Sequence, residues 1–195
     1  MASATDATRA GQALVETLLA SLAILLALFG LLQVALASGA REVLRHAAAR
    51  AARAKSVGFN DWMAEKAVRV AAIPVSGRRT VPADDWLGED GGGGAAGAAA
   101  SRIPGYLGAE NRARASWVLS YEEWERGWPV FSVGTSPLGE GALRASVRMD
   151  YPLRMPLAGF FVPFAEKDED GTPRLPMSAT AAAPDQSRLY LSGAR

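Results

Sequence analysis

The chain has 195 residues, 49% hydrophobic and 21% charged, with a net charge of +1 and no cysteine. That length allows one domain with an added helix, and the near-neutral balance lacks the concentrated basic face that a nucleic-acid partner requires. Without cysteine there is no disulfide and no thiolate chemistry.

Residues 1–10 are small and polar, Asp6 and Arg9 nearly cancel, and nothing in them predicts structure. Residues 17–40 then carry no charge for 24 positions. A helix crosses a hydrocarbon core of about 30 Å with roughly 20 residues, so this run is long enough to span a membrane. Its side chains are sorted. Stepping by four and three from Glu16 gives Ala20, Ala23, Ala27, Gly30, Val34 and Ala37, a face of mostly small residues. Stepping from Leu18 gives Leu22, Leu25, Phe29, Leu32 and Leu36 on the opposite, bulky face. In lipid, helices associate through close packing of small residues, because apolar bulk does not prefer protein to lipid. The face of Ala20, Ala23, Ala27, Gly30 and Ala37 is therefore a candidate helix-packing face.

The helical pattern continues beyond the apolar run. Val43, Leu44, Ala47, Ala48, Ala51 and Ala52 form an apolar stripe, with Arg41, Arg45, Arg50 and Arg53 mostly off it. An unbroken helix over residues 13–56 is roughly 65 Å long at about 1.5 Å per residue, and Gly58 marks its end. Asn60 offers an N-cap for a second helix over 61–72, with Trp62, Met63, Ala67, Val68 and Ala71 on one side and Pro74 as its stop. The Gly91-Gly92-Gly93-Gly94 run and its Ala/Gly tail predict a low-complexity loop near 88–101. It is no phosphate loop, because Ala95-Ala96-Gly97-Ala98 follows where Gly-Lys-Ser/Thr is needed. Residues 109–125 suit a helix ending at Gly127, with Ala113, Trp117, Ser120, Tyr121 and Trp124 on one face, although Trp117-Val118-Leu119 alone suits a strand.

The last third reads as strands. Leu143, Ala145, Val147, Met149 and Tyr151 alternate with Arg144, Ser146, Arg148 and Asp150, a half-buried strand that Pro152 ends. Phe160-Phe161-Val162 and residues 175–182 are further strand candidates, and Asp168-Glu169-Asp170-Gly171 is a turn. The expected fold class is α+β: a long N-terminal membrane-spanning helix, then a domain of short helices and a small antiparallel sheet. The expected divisions are 1–11, 12–57 (span about 14–38) and 58–195.

Most candidate sites dissolve under the chemistry they need. His46 is the single histidine, with no cysteine or second histidine to complete a zinc site, so no metal and no cofactor is expected. No Gly-x-Ser-x-Gly elbow occurs. The adjacent pairs Asp84-Asp85 and Glu122-Glu123 point apart on helix or strand and make no acid/base pair. Asp168-Glu169-Asp170-Gly171 lacks the flanking ligands of a calcium loop. The five tryptophans are expected mainly in the core. No enzymatic activity is indicated.

Glu16 resists so bland an account. A carboxylate heading an apolar span is costly unless paired or held near the interface, where the positive end of the helix dipole assists it. Gly11-Gln12-Ala13-Leu14-Val15-Glu16 resembles the processing site of type IV pilin-like proteins, in which a prepilin peptidase cuts after the glycine and a glutamate stands fifth in the mature chain. The wording of this stretch, leading into a Leu-rich and then an Ala/Arg-rich helix, resembles the TadE-like pseudopilins of the tight-adherence (Flp) pilus. Val147-Arg148-Met149-Asp150-Tyr151-Pro152 resembles that family's late strand. Thr17 stands where the family usually has Phe or Tyr.

The resemblance implies cleavage after Gly11 and a new amino terminus at Gln12, one helical turn from Glu16. It implies a minor structural role in pilus assembly or secretion, and partners among the prepilin peptidase, other pilins and assembly proteins. It also implies a single-pass place in a bacterial inner membrane, with the C-terminal domain in the periplasm or associated with the pilus. Two other readings start from different features. An uncleaved, singly anchored periplasmic binding or sensor domain keeps its leader. A secreted protein loses residues 1–37 at Ala35-Leu36-Ala37, though its apolar core exceeds the roughly 7–15 residues such signals use. Arg41, Arg45, Arg50 and Arg53 follow the span and only Arg9 precedes it, which by the positive-inside rule favours a cytoplasmic C-terminus.

Overall fold

The computed structural model describes residues 4–82, 94–135, 142–153, 166–168 and 171–186. The fold is α+β, with a long apolar N-terminal helix followed by short helices and antiparallel sheets. Two compact units divide the chain: Met1–Ser38 with Pro152–Leu175, and Gly39–Tyr151 with Pro176–Arg195.

Helix α1, Ala4–Ser56, has 53 residues. It begins well before the position expected from sequence, inside the stretch for which no structure was predicted. Once a helix is nucleated, each added residue gains a hydrogen bond at little cost. Its C-terminus is as anticipated. Gly58 adopts φ +94°, the Gly58 amide donates to Lys55 O at 2.9 Å, and the Phe59 amide donates to Ala54 O at 3.1 Å. This is a Schellman closure, which needs a left-handed residue and so favours glycine. The Gln186 amide satisfies a further terminal carbonyl, that of Ser56, at 3.0 Å.

In the second unit, Ala40, Leu44, Ala47, Ala48, Ala51 and Ala52 of α1 are buried, which matches the apolar stripe read from sequence. Alanines there permit close approach and fix little side-chain entropy. Helix α2, Asp61–Ala71, is capped by Asn60, whose Oδ1 accepts from the Met63 amide at 2.8 Å. It is followed by a 3-10 turn, Ile73–Val75, that contains Pro74. The expected single face of α2 is replaced by two. Ala64, Val68 and Ala72 are buried on one side. Trp62, Val70 and Ile73 pack on the other against a cluster of Tyr106, Ala109, Ala115, Leu119, Tyr121 and Trp124.

Helix α3, Gly94–Gly108, occupies much of the ground assigned to a loop. Positions 83–93, including most of the glycine run, lie outside the described residues, but 94–101 are helical. The alanines there are the strongest helix formers, each interior glycine costs only about 1 kcal/mol, and burial of Tyr106 and Ala99 on this helix stabilises it further. The segment expected as one helix over 109–125 is broken. Helix α4, Arg112–Val118, is capped by Asn111. Strand β2, Ser120–Tyr121, pairs with β1, Arg79–Val81, and α5 covers Glu122–Glu125. Gly127 at φ +84° closes the segment as anticipated. The break moves Trp117 off the expected buried face to 80% exposed, while Ser120, Tyr121 and Trp124 are buried. Tyr121 meets Trp124 edge-on at 4.7 Å, and Trp124 Nε1 donates to Ser76 Oγ at 2.8 Å.

Strand β3, Val130–Thr135, is absent from the sequence expectations. It pairs antiparallel with β4, Ala142–Pro152, whose Ala145, Val147 and Met149 are buried as the alternation predicts. Strand β6, Pro173–Pro184, flanks β4 on its other side and contains the expected strand over 175–182. Within the first unit, β5, Glu166–Lys167, pairs with the start of β6. The turn before β6 is as read from sequence: Gly171 takes φ +72° and its amide donates to Asp168 O at 2.8 Å. Asp168 also holds the buried Arg174 at 2.9 Å. The candidate strand at 160–162 lies outside the described residues.

Candidate functional site

Gly11, Gln12 and Glu16 all lie within α1, and the Gln12 and Glu16 side chains are exposed. With Val15, Leu19 and Ala20 these two side chains line one open concavity. Spacing of four residues puts Gln12 and Glu16 one turn apart on the same face. Thr17 is accommodated without a partner from elsewhere, since its Oγ1 donates to Ala13 O at 2.8 Å. Such back-bonding is how a hydroxyl is satisfied on a helix with no water beside it.

Downstream, Leu14, Leu18, Leu22, Ile24, Leu25, Leu28, Leu31 and Val34 are all exposed. One helix among the described residues is long and apolar enough to cross a membrane, and only 6% of its most apolar stretch is buried. On the small-residue face, Ala20, Ala23 and Ala27 are exposed, while Gly30 and Ala37 are half-buried. Gln33 stands apart at 3% exposed, with half-buried Phe29 and Gly30 one turn and Leu26 two turns before it.

A second concavity, of about 400 Å³, lies in the other unit. Asp61, Glu65 and Arg112 face Gly127 and Pro129 to Val133 across it. Glu65 is clamped by Arg69 at 2.9 Å and Arg112 at 2.8 Å, and Asp61 pairs with Lys55 at 2.9 Å. Both carboxylates are thus paired with cations. Ser132 is the one hydroxyl among the described residues that line the groove, and no histidine stands there with it. Among the described residues no group of three or more His, Asp or Glu side chains is placed to hold a metal ion.

Beside this groove sits a polar group that sequence reasoning missed. Lys66 is 1% exposed, and its ammonium donates to Leu107 O at 2.5 Å and Ala109 O at 3.0 Å. It lies 5.1 Å from the centre of the Trp62 ring, which Arg112 also covers at 5.5 Å. The carbonyls it takes are those at the C-terminal end of α3, where the helix dipole is negative and no intrahelical donor remains. The only advance signal was Lys66 standing four residues from Trp62 and four from Val70 on what proves to be a buried stripe. Nearby, burial raises the Tyr106 phenol above its ordinary value, opposed by the Arg69 guanidinium, and its hydroxyl has no hydrogen-bond partner. Burial likewise raises Tyr121, opposed by Arg79. Comparison of the chain with protein-family models, with curated proteins and with solved structures returns no match.

Proposed function

We propose that this chain is a minor pilin-like structural subunit of the tight-adherence (Flp) type. A prepilin peptidase cuts it after Gly11, and it acts in pilus assembly or secretion together with other pilins and pseudopilins. The observation that carries the reading is the position of Glu16: fifth after Gly11, at the head of an uncharged helical run whose side chains are almost all exposed. A soluble protein does not leave so long an apolar face to water, and a carboxylate at the start of such a face needs a partner. Cleavage creates one, an amino group at Gln12 a single turn away, available to Glu16 of the same chain or of a neighbour. The small-residue face from Ala20 to Ala37 then serves as the packing surface between subunits.

The leader and its peptidase meet on the cytoplasmic side, so the processing motif sets the orientation against the charge bias, and the domain after the span stands outside the inner membrane. The bond to be cut lies in a helix, and that helix must unwind locally to enter a protease. Gly11 lowers this cost, because glycine is the weakest helix former after proline. Gly11→Leu tests the assignment. The variant is expected to accumulate in membranes as a precursor about 1 kDa heavier than the mature wild type, on a leader of roughly 11 residues. If wild type and variant have the same mass, the reading fails.

A further inference from the structure

Strand β3 lies at one end of its sheet. Its six residues pair in unbroken register with β4, from Val130 opposite Arg148 to Thr135 opposite Leu143, with no bulge. Among the described residues nothing pairs with its outer edge, and Pro129 to Val133 line the 400 Å³ groove opposite Asp61 and Arg112. Exposed sheet edges are ordinarily protected by lysine, proline, an inward charge or a bulge, because their free N–H and C=O groups otherwise recruit another strand. Val-Phe-Ser-Val-Gly-Thr has none of these devices.

We propose that the β3 edge is a self-association surface that takes β3 of a second copy, antiparallel, across a two-fold axis. The sheet then continues from one copy into the next. A two-fold antiparallel pair sets each residue opposite its mirror position about the centre, so like charges at the centre or at mirror positions face one another and destabilise the pair. β3 carries no charge and meets that condition. Centred on Ser132, the strand also complements itself. Val130, 51% exposed, falls opposite Gly134 on the outward face, and Phe131 falls opposite Val133 on the half-buried one. The groove wall offers two carboxylates and one guanidinium, and both carboxylates are already paired with cations, so a copy of the same wall meets no unpaired acidic patch.

The cysteine-free chain allows a clean test in the full-length protein, in membranes and after detergent extraction. In this register the two Ser132 Cβ atoms stand about 4.5–5.5 Å apart, close enough for a disulfide with slight adjustment. Ser132→Cys is therefore expected to give a disulfide-linked dimer on mild oxidation. Mixed chains carrying Val130→Cys and Gly134→Cys are expected to link to one another, since a Cβ at Gly134 meets nothing within 4 Å. Ser116→Cys, exposed on α4, sets the background. Linkage several-fold above that background in both experiments supports the pairing. If either pair links no more than Ser116→Cys, or Ser132→Cys links instead to a different protein, the proposal is overturned. The N-terminus of the same samples reports separately on cleavage after Gly11, so the two readings fail independently.

Discussion

Lys66 gives the sharpest test of how the second unit is held together. Lys66→Met keeps the length of the side chain and removes the ammonium. Two buried carbonyls, Leu107 O and Ala109 O, then lose their donor. Hydrogen bonds to a charged group contribute about 1.5–3 kcal/mol each, and a buried acceptor left unmade costs about 1–3 kcal/mol. Against this, the variant no longer has to desolvate a positive charge, which returns several kcal/mol in partial compensation. The expected net loss is about 2–4 kcal/mol. At about 2–4 °C per kcal/mol for a chain of this size, the melting temperature falls by roughly 4–16 °C. Thermal unfolding of the full chain in detergent, followed by near-ultraviolet circular dichroism, reads this directly, because Tyr106, Tyr121 and Trp124 are in ring contact in the same core. A variant that melts with the wild type refutes the claim that Lys66 closes the end of α3.

Four further variants have expected outcomes. Tyr106→Phe removes a buried hydroxyl without a hydrogen-bond partner, so near neutral pH stability is unchanged or rises by up to about 1 kcal/mol. Because burial raises the Tyr106 and Tyr121 phenols in the folded state, their contribution is full below the unfolded value of 10.0 and is lost as pH rises through the folded values. Unfolding measured as a function of pH above that point is therefore expected to fall less steeply in Tyr106→Phe than in wild type, and equal slopes contradict the assignment. Asn60→Ala removes the cap of α2 and is expected to cost about 1 kcal/mol in chemical or thermal unfolding. Ala48→Leu inserts bulk into a fully buried position of α1 and is expected to cost about 1–3 kcal/mol. Ala23→Leu, on the exposed small face, is expected to leave unfolding unchanged and to weaken subunit packing, read by cross-linking in membranes.

The elements legible in the sequence were those written in one strong local signal. The alanine stripe of α1, the Gly58 and Gly127 terminations, the Asn60 cap and the alternation in β4 each follow from a short-range rule, and each is present in the fold. The losses have a common physical cause. Helix α3 was hidden because a glycine run and a good alanine helix share a composition, and burial of Tyr106 settles which prevails. Helix α2 was read as one-faced because a single stripe is the ordinary surface arrangement, whereas here it is covered on both sides. Strand β3 is short and follows Pro129 with little alternation in polarity, so its assignment depends on β4 as a partner. Lys66 reads as a surface residue until the end of α3, some forty positions away, is brought beside it. Gly11, Gln12 and Glu16 stand out through the cost of a carboxylate at the head of an apolar span and through the resemblance to a pilin processing site, and their place on a helix with an exposed apolar face is compatible with the use proposed for them.

The central claim concerns one peptide bond. Sequencing the amino terminus of the full-length product, extracted from the membranes of cells that carry the prepilin peptidase, tests it most directly. The account predicts a chain that begins at Gln12. A terminus at Met1 or Ala2 identifies an uncleaved anchored domain, a terminus at Ser38 identifies a secreted protein freed of its signal, and either result contradicts the pilin reading.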